Sequence, residues 1–166
     1  MKKLEDLYRR LLAVLAGLAG VIFGLIAVLI TVNVVLRAFF SSAIYGLFEA
    51  IEFGLLAATF LAAPWVLARN AHVTVDIALM ALPERQRHTL ARLTNLLGAA
   101  LCAIFVYYSL TAAIASAARG SMIRTAFVIP EWWVLSVLPF AMTLMMVEFL
   151  LRSRRDVTAE RHRVEI

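Results

Sequence analysis

Charge is scarce in this chain. Of its 166 residues, 16% are Asp, Glu, Lys or Arg and 63% are hydrophobic, whereas soluble domains carry roughly 25% charged residues. Mean hydropathy is +0.89. Such a chain belongs in a bilayer. Cysteine is nearly missing as well: Cys102 is the only one, mid-run in "LGAALCAIFVYY", which excludes a disulfide framework and a thiolate metal site and leaves a small core residue. Histidine is sparse and scattered, at His72, His88 and His162. His72 and Asp76, four apart, would share a helical face, but nothing completes a metal-ligand set around them. The chain also lacks a Ser or Cys nucleophile with a nearby base, a Gly-rich phosphate loop and paired carboxylates in a cleft, so no catalytic residue is expected and the protein is not read as an enzyme. The net charge of +5 would suggest nucleic acid in a soluble protein. Here the basic residues sit at the edges of apolar runs, where membrane topology accounts for them.

What fills the chain instead is long apolar runs. The start carries a basic front, yet its uncharged run, Leu11 to Leu36, is 26 residues long, beyond the roughly 7–15 of a signal-peptide core. It reads as a retained signal anchor. As a helix it would measure about 39 Å, more than the ~30 Å hydrocarbon slab, so it should tilt or project. Further spans are expected at about 47–68, 90–118 and 131–151. Runs this long satisfy their backbone polar groups in hydrocarbon only as helices. The expected fold is an all-α integral membrane protein with four transmembrane helices in a single domain over 1–152, followed by a polar cytoplasmic tail at 153–166.

Lysine and arginine set the orientation. If the connecting segments alternate sides, thirteen of the sixteen basic residues fall on one side, which predicts that both termini and the central loop are cytoplasmic. Local signals agree with the spans. "VIPEWWV" places Pro130 at a first helical position, Glu131 at the positive end of the helix dipole, and Trp132 and Trp133 at headgroup level. Pro83 and Glu84 could likewise open a helix that runs into the third span. Gly20 and Gly24 form a GxxxG, and Ala112 with Ser116 and Ala113 with Ala117 form small-xxx-small pairs; both suit close helix packing, though small residues are common in membrane helices anyway. Pro64 and Pro139 are expected to kink their helices.

A few polar residues stand out. Glu49 and Glu52 share a face in the first turns of span two. The helix dipole and headgroup water would account for them; pairing with Arg37 or a partner's cation, or an ion pathway, are the other readings. Glu148, one turn before Arg152, reads as an interfacial ion pair. In "RNAHVTVDIALMALPERQRH", Arg69 leaves span two at the cytoplasmic surface, while Val73, Ile77, Met80 and Ala81 fall at helical spacing, as in a short amphipathic segment lying in the interface. The alternation Val73, Val75, Ile77 also fits a short strand. Arg69, His72 and Asp76 would form a surface cluster that fixes this segment against span two or docks another subunit.

Taken together, "EAIEF" opening span two, "RNAHVTVD" followed by "LP" and basic residues, and "PEWWV" opening span four resemble the small membrane subunit of tripartite ATP-independent periplasmic (TRAP) transporters, roughly over residues 8–152. The most specific piece is Arg69, His72 and Asp76 in R-x-x-H-x-x-x-D, supported by Glu52 and Pro130; Val73 stands where the family often has Ile. The resemblance implies a bacterial inner-membrane subunit paired with a much larger membrane subunit. That larger subunit would carry the substrate and sodium sites and move as an elevator, and a soluble periplasmic protein, which this chain could contact, would capture an organic acid. This chain would then be a stationary scaffold with no substrate, ion or cofactor site of its own. Arg37, Glu49, Glu52, Arg69, His72, Asp76, Pro130 and Trp132 would serve structure or the partner interface. Two alternatives stay open. A self-sufficient small dimeric transporter would be shorter and carry a Glu in span one, which is uncharged here. The small subunit of a tripartite tricarboxylate transporter lacks support from "RNAHVTVD" and "PEWWV".

Overall fold

The computed structural model describes residues 2–69 and 84–164. Four long helices dominate: α1 (Lys2–Phe40), α2 (Leu47–Ala68), α3 (Glu84–Arg119) and α4 (Glu131–Val164). Each contains a stretch long and apolar enough to cross a membrane. The second span matches its expected limits at both ends. The other three helices run past theirs: α1 is 39 residues long, α3 36 and α4 34, because nothing at the predicted span edges stops a helix once water can take over its backbone. Helical backbone thus continues through 153–164, the stretch expected to be a polar tail. The expected interfacial segment at 73–81, with His72 and Asp76, lies outside the described residues.

The helices form a row rather than a closed bundle. α1 packs on α2, α2 on α4, and α4 on α3, so α1 and α3 are the outer members. On α1 the buried positions are Leu12, Ala19, Ile26 and Asn33, one every seven residues. That repeat gives a straight seam against a neighbour crossing at a shallow angle. On α3 the buried set Ala99, Cys102, Ser109, Ala113 and Ser116 steps by three, four and seven and makes the matching seam toward α4. Small residues set the spacing at both seams, though not mainly the ones expected. A Cβ at Gly54 of α2 would meet Ile26 Cδ1 at 3.1 Å, and one at Gly98 of α3 would meet the Phe149 ring at 2.8 Å. Gly20 and Gly24, the predicted GxxxG, would meet nothing within 4 Å and face away from α2. Of the two predicted pairs in span three, Ala113 and Ser116 are buried and Ala112 and Ala117 are exposed, since only one edge of each pair can face α4.

The connection between α3 and α4 holds a feature absent from the expectations. α3 ends in a left-handed Gly120 (φ 64°), whose N–H bonds Ala117 O (3.1 Å) while Ser121 N–H bonds Ser116 O (3.2 Å). This pair of bonds satisfies two carbonyls that the helix end leaves free. The chain then forms a hairpin of β1 (Met122–Arg124) and β2 (Val128–Pro130), antiparallel with Ile123 opposite Ile129. Strands this short carry no periodic signal for a sequence reading to catch. The hairpin tip rests on the α1–α2 turn: a Cβ at Gly46 would lie 2.9 Å from both Ala126 Cβ and Phe127 Cζ.

Gly46 also has φ +73°, so any side chain there meets both backbone strain and a collision. Gly46→Val should lower the thermal midpoint of the detergent-purified protein markedly, at a cost of about 2 kcal/mol or more. Gly20→Ala, with open space around it, should leave the midpoint unchanged or raise it.

Candidate functional site

Two polar clusters fix the row, one at each end. At the end formed by the start of α1, the close of α2 and the second half of α4, the last turn of α2 leaves carbonyls without helical partners. Arg152 of α4 donates from Nη2 to one of them, Leu67 O. Its Nε lies 3.5 Å from Glu148 Oε1, and the Glu148 side chain is only 2% exposed. From α1, the Tyr8 hydroxyl donates to Leu144 O at 2.7 Å, one turn before Glu148. The expected pair is therefore present, with Glu148 buried and Arg152 half-buried where α4 meets the closing turn of α2. Arg69 follows directly: it is exposed and its guanidinium sits 5.0 Å from the Trp65 ring centroid, a cation–π contact at the helix end.

The opposite end is tied by neutral and acidic groups. Asn33, 7% exposed in α1, accepts a bond on Oδ1 from Ile44 N–H (3.0 Å), which pins the α1–α2 turn. Ser116 of α3 is fully buried and donates to Glu131 Oε2 at 2.8 Å. Glu131 N–H in turn donates to Ser121 O (3.1 Å). Glu131 is the first residue of α4, so the carboxylate also meets the positive end of its helix dipole. Pro130 closes β2 and therefore precedes the helix rather than starting it. Trp132 and Trp133 are exposed and contact each other edge to face, centroids 6.0 Å apart, as suits headgroup level.

The residues singled out from the sequence fare unequally. Arg69 and Trp132 lie at helix ends, and Pro130 closes β2 just before α4. Arg37 and Glu52 are exposed and Glu49 is half-buried, and none of the three has an ion-pair or hydrogen-bonding side-chain partner among the described residues. The pairing of Glu49 or Glu52 with Arg37 is thus not formed. His72 and Asp76 fall outside the described residues. Sequence reading passes over Tyr8 and Asn33, and takes Ser116 only as a small packing residue. Asn33 could have been flagged, as an amide in an otherwise apolar run; nothing local marks Tyr8 or Ser116 as a bonding group, since their partners lie 136 and 15 residues away.

Chemically, these clusters hold helices. Among the described residues every buried side-chain nitrogen and oxygen has a hydrogen-bond partner. Hydroxyls within the spans, such as Thr31, Ser109, Thr111 and Thr143, donate to the carbonyl four residues back, the local solution for a hydroxyl in hydrocarbon. The arrangement is that of a multi-pass membrane protein braced at both ends of its helices.

That class can be narrowed. Residues 26–159 match the family described as tripartite ATP-independent periplasmic transporters, DctQ component, and the chain belongs to that family, whose members are transporter components and not enzymes. No match is found among curated proteins. The family match covers α2, the hairpin and the polar clusters apart from Tyr8, and it favours the TRAP resemblance over the tricarboxylate alternative.

The buried pair gives a direct expectation. Arg152→Met leaves the Glu148 carboxylate buried without its cation and should destabilise by about 3 kcal/mol or more. Replacing both, Glu148→Met with Arg152→Met, should recover most of that loss, because two apolar side chains remove the uncompensated charge. Thermal unfolding of the three proteins in one detergent, followed by size-exclusion fluorescence, ranks them.

Proposed function

We propose that this chain is a non-catalytic subunit that braces the large, elevator-type membrane subunit of an ion-gradient-driven uptake transporter for organic acids, in a bacterial inner membrane with both termini cytoplasmic. Membership in the DctQ component family supports the assembly. The observation that carries the scaffold role is the internal use of polar groups: among the described residues every buried one has a partner, either across helices, as Tyr8 with Leu144, Ser116 with Glu131 and Arg152 with Leu67, or within its own helix or turn. A solute pathway needs convergent polar groups at membrane depth, commonly where helices are discontinuous, whereas α1, α2 and α4 run unbroken through their spans. Sodium and substrate then belong to the large subunit, and the soluble periplasmic protein delivers the organic acid. The thirteen-to-three bias of basic residues supports the orientation.

Arg69 at the close of α2, with His72 and Asp76 beyond it, would fix the central cytoplasmic segment or hold the partner. His72→Ala or Asp76→Ala should then lower assembly and transport together, with the order of substrate preference unchanged in whole-cell uptake. A shifted preference would count against the scaffold role. The direct test is reconstitution. Liposomes holding this chain alone should show no substrate or sodium flux, and flux should appear when the co-expressed large subunit and the periplasmic protein are added. Flux through the lone chain would sink the proposal.

A further inference from the structure

The four helices do not offer the bilayer the same apolar length. The outer two are alike: 26 uncharged residues separate Arg10 from Arg37 in α1 and Arg92 from Arg119 in α3, about 39 Å of helix in each. Inner α2 has 16, between the exposed Glu52 and the exposed Arg69, or about 24 Å, short of the ~30 Å hydrocarbon slab. The shortfall sits at one end. Gly54 lies against Ile26 of α1, and the short turn between these helices makes them antiparallel. Arg69 therefore stands level with Leu11, beside Arg10, whereas Glu52 stands level with Val28 and Phe48 with Val32. Beyond Val28, α1 stays uncharged for eight more residues, to Leu36, about 12 Å. At the same end α3 and α4 keep their reach: Glu131, which accepts the Ser116 bond, is the first residue of α4, while Glu52 is the sixth of α2.

Tilting cannot remove this difference. The buried seam of α1, from Leu12 to Asn33, holds it along α2, so a tilt that fits about 39 Å of α1 into the ~30 Å slab also cuts the projected length of α2, to about 18 Å. A helix too short for its bilayer is met by thinning, which costs little per ångström, whereas a carboxylate among lipid tails is expensive. Glu52 has no ion-pair partner among the described residues to offset that cost. We propose that the row dents the membrane: beside α2, at the hairpin end, headgroups and water come in by about 6 Å to the level of Glu52, while the bilayer keeps its full thickness at α1 and α3. The partner this side of α2 fits is a locally thinned lipid layer.

The test compares two exposed positions at one level, Phe48 of α2 and Val32 of α1. Each carries a nitroxide, in turn, on the full chain with Cys102→Ala, in vesicles of dioleoylphosphatidylcholine and dioleoylphosphatidylglycerol. Collisions with a water-soluble nickel complex should be several-fold more frequent at Phe48, and those with oxygen more frequent at Val32, since water is excluded from the hydrocarbon. Equal collision rates at the two positions, whether both wet or both dry, overturn the dent. Glu49→Leu with Glu52→Leu leaves all 22 residues of α2 uncharged, about 33 Å, and should bring Phe48 down to the nickel accessibility of Val32. Unchanged access at Phe48, with the thermal midpoint of the parent retained, also overturns it. Should the doubly substituted chain fail to fold, the comparison of Phe48 with Val32 in the chain with both carboxylates decides alone.

Discussion

The buried contact of Arg152 with Glu148 and with the Leu67 carbonyl is the constraint on which the arrangement of the row depends. Apolar side chains give little preference for helix against helix over helix against lipid in a bilayer, so packing and polar bonds decide which helices meet. The seams α1–α2 and α3–α4 each join neighbours along the chain. The packing of α2 on α4 joins the two pairs, with Tyr8 of α1 adding a bond to α4, and at the α2–α4 contact the guanidinium meets a carbonyl of the last turn of α2. Glu148, almost wholly buried, supplies the countercharge that makes a cation tolerable between helices.

At the far end the same task falls to hydrogen bonds of another kind. Asn33 holds the α1–α2 turn, and Ser116 holds the first residue of α4 through Glu131. The hairpin between them then lays Ala126 and Phe127 over Gly46. The two connections are thus packed onto each other, although no helix-to-helix seam requires it. A carboxylate at the start of a helix, a Schellman turn at the close of another, and a glycine in left-handed conformation where two loops touch are local solutions to one requirement: polar backbone groups at a helix end must find partners near the membrane edge.

Most of the architecture could be read from the sequence because its causes are local. Helix α2, Leu47–Ala68, coincides with the stretch expected for span two at about 47–68, since Gly46 and Arg69 bound an otherwise apolar run. Helix lengths beyond the membrane were less legible, as the charged stretches on either side of it form helix equally well. The seams were misjudged for a different reason. A GxxxG is a property of one helix, whereas the close approaches at Gly54 and Gly98 depend on Ile26 and Phe149 of other helices. Of the site residues, Glu148 and Arg152 were found as a pair because they are four apart. The burial of Glu148 is not legible there, because it depends on where α2 stops. The bonds of Tyr8 and Ser116 were missed outright, since a hydroxyl's partner across the fold leaves no mark in its own neighbourhood.

The order of the row bears on biogenesis. Helices α1 and α2, and then α3 and α4, are adjacent in both sequence and space, so each pair can enter the bilayer as a hairpin of its own as it leaves the ribosome. Arg152 emerges after every other group it holds has been made. The row is therefore completed from its C-terminal half, when Arg152 reaches the Leu67 carbonyl.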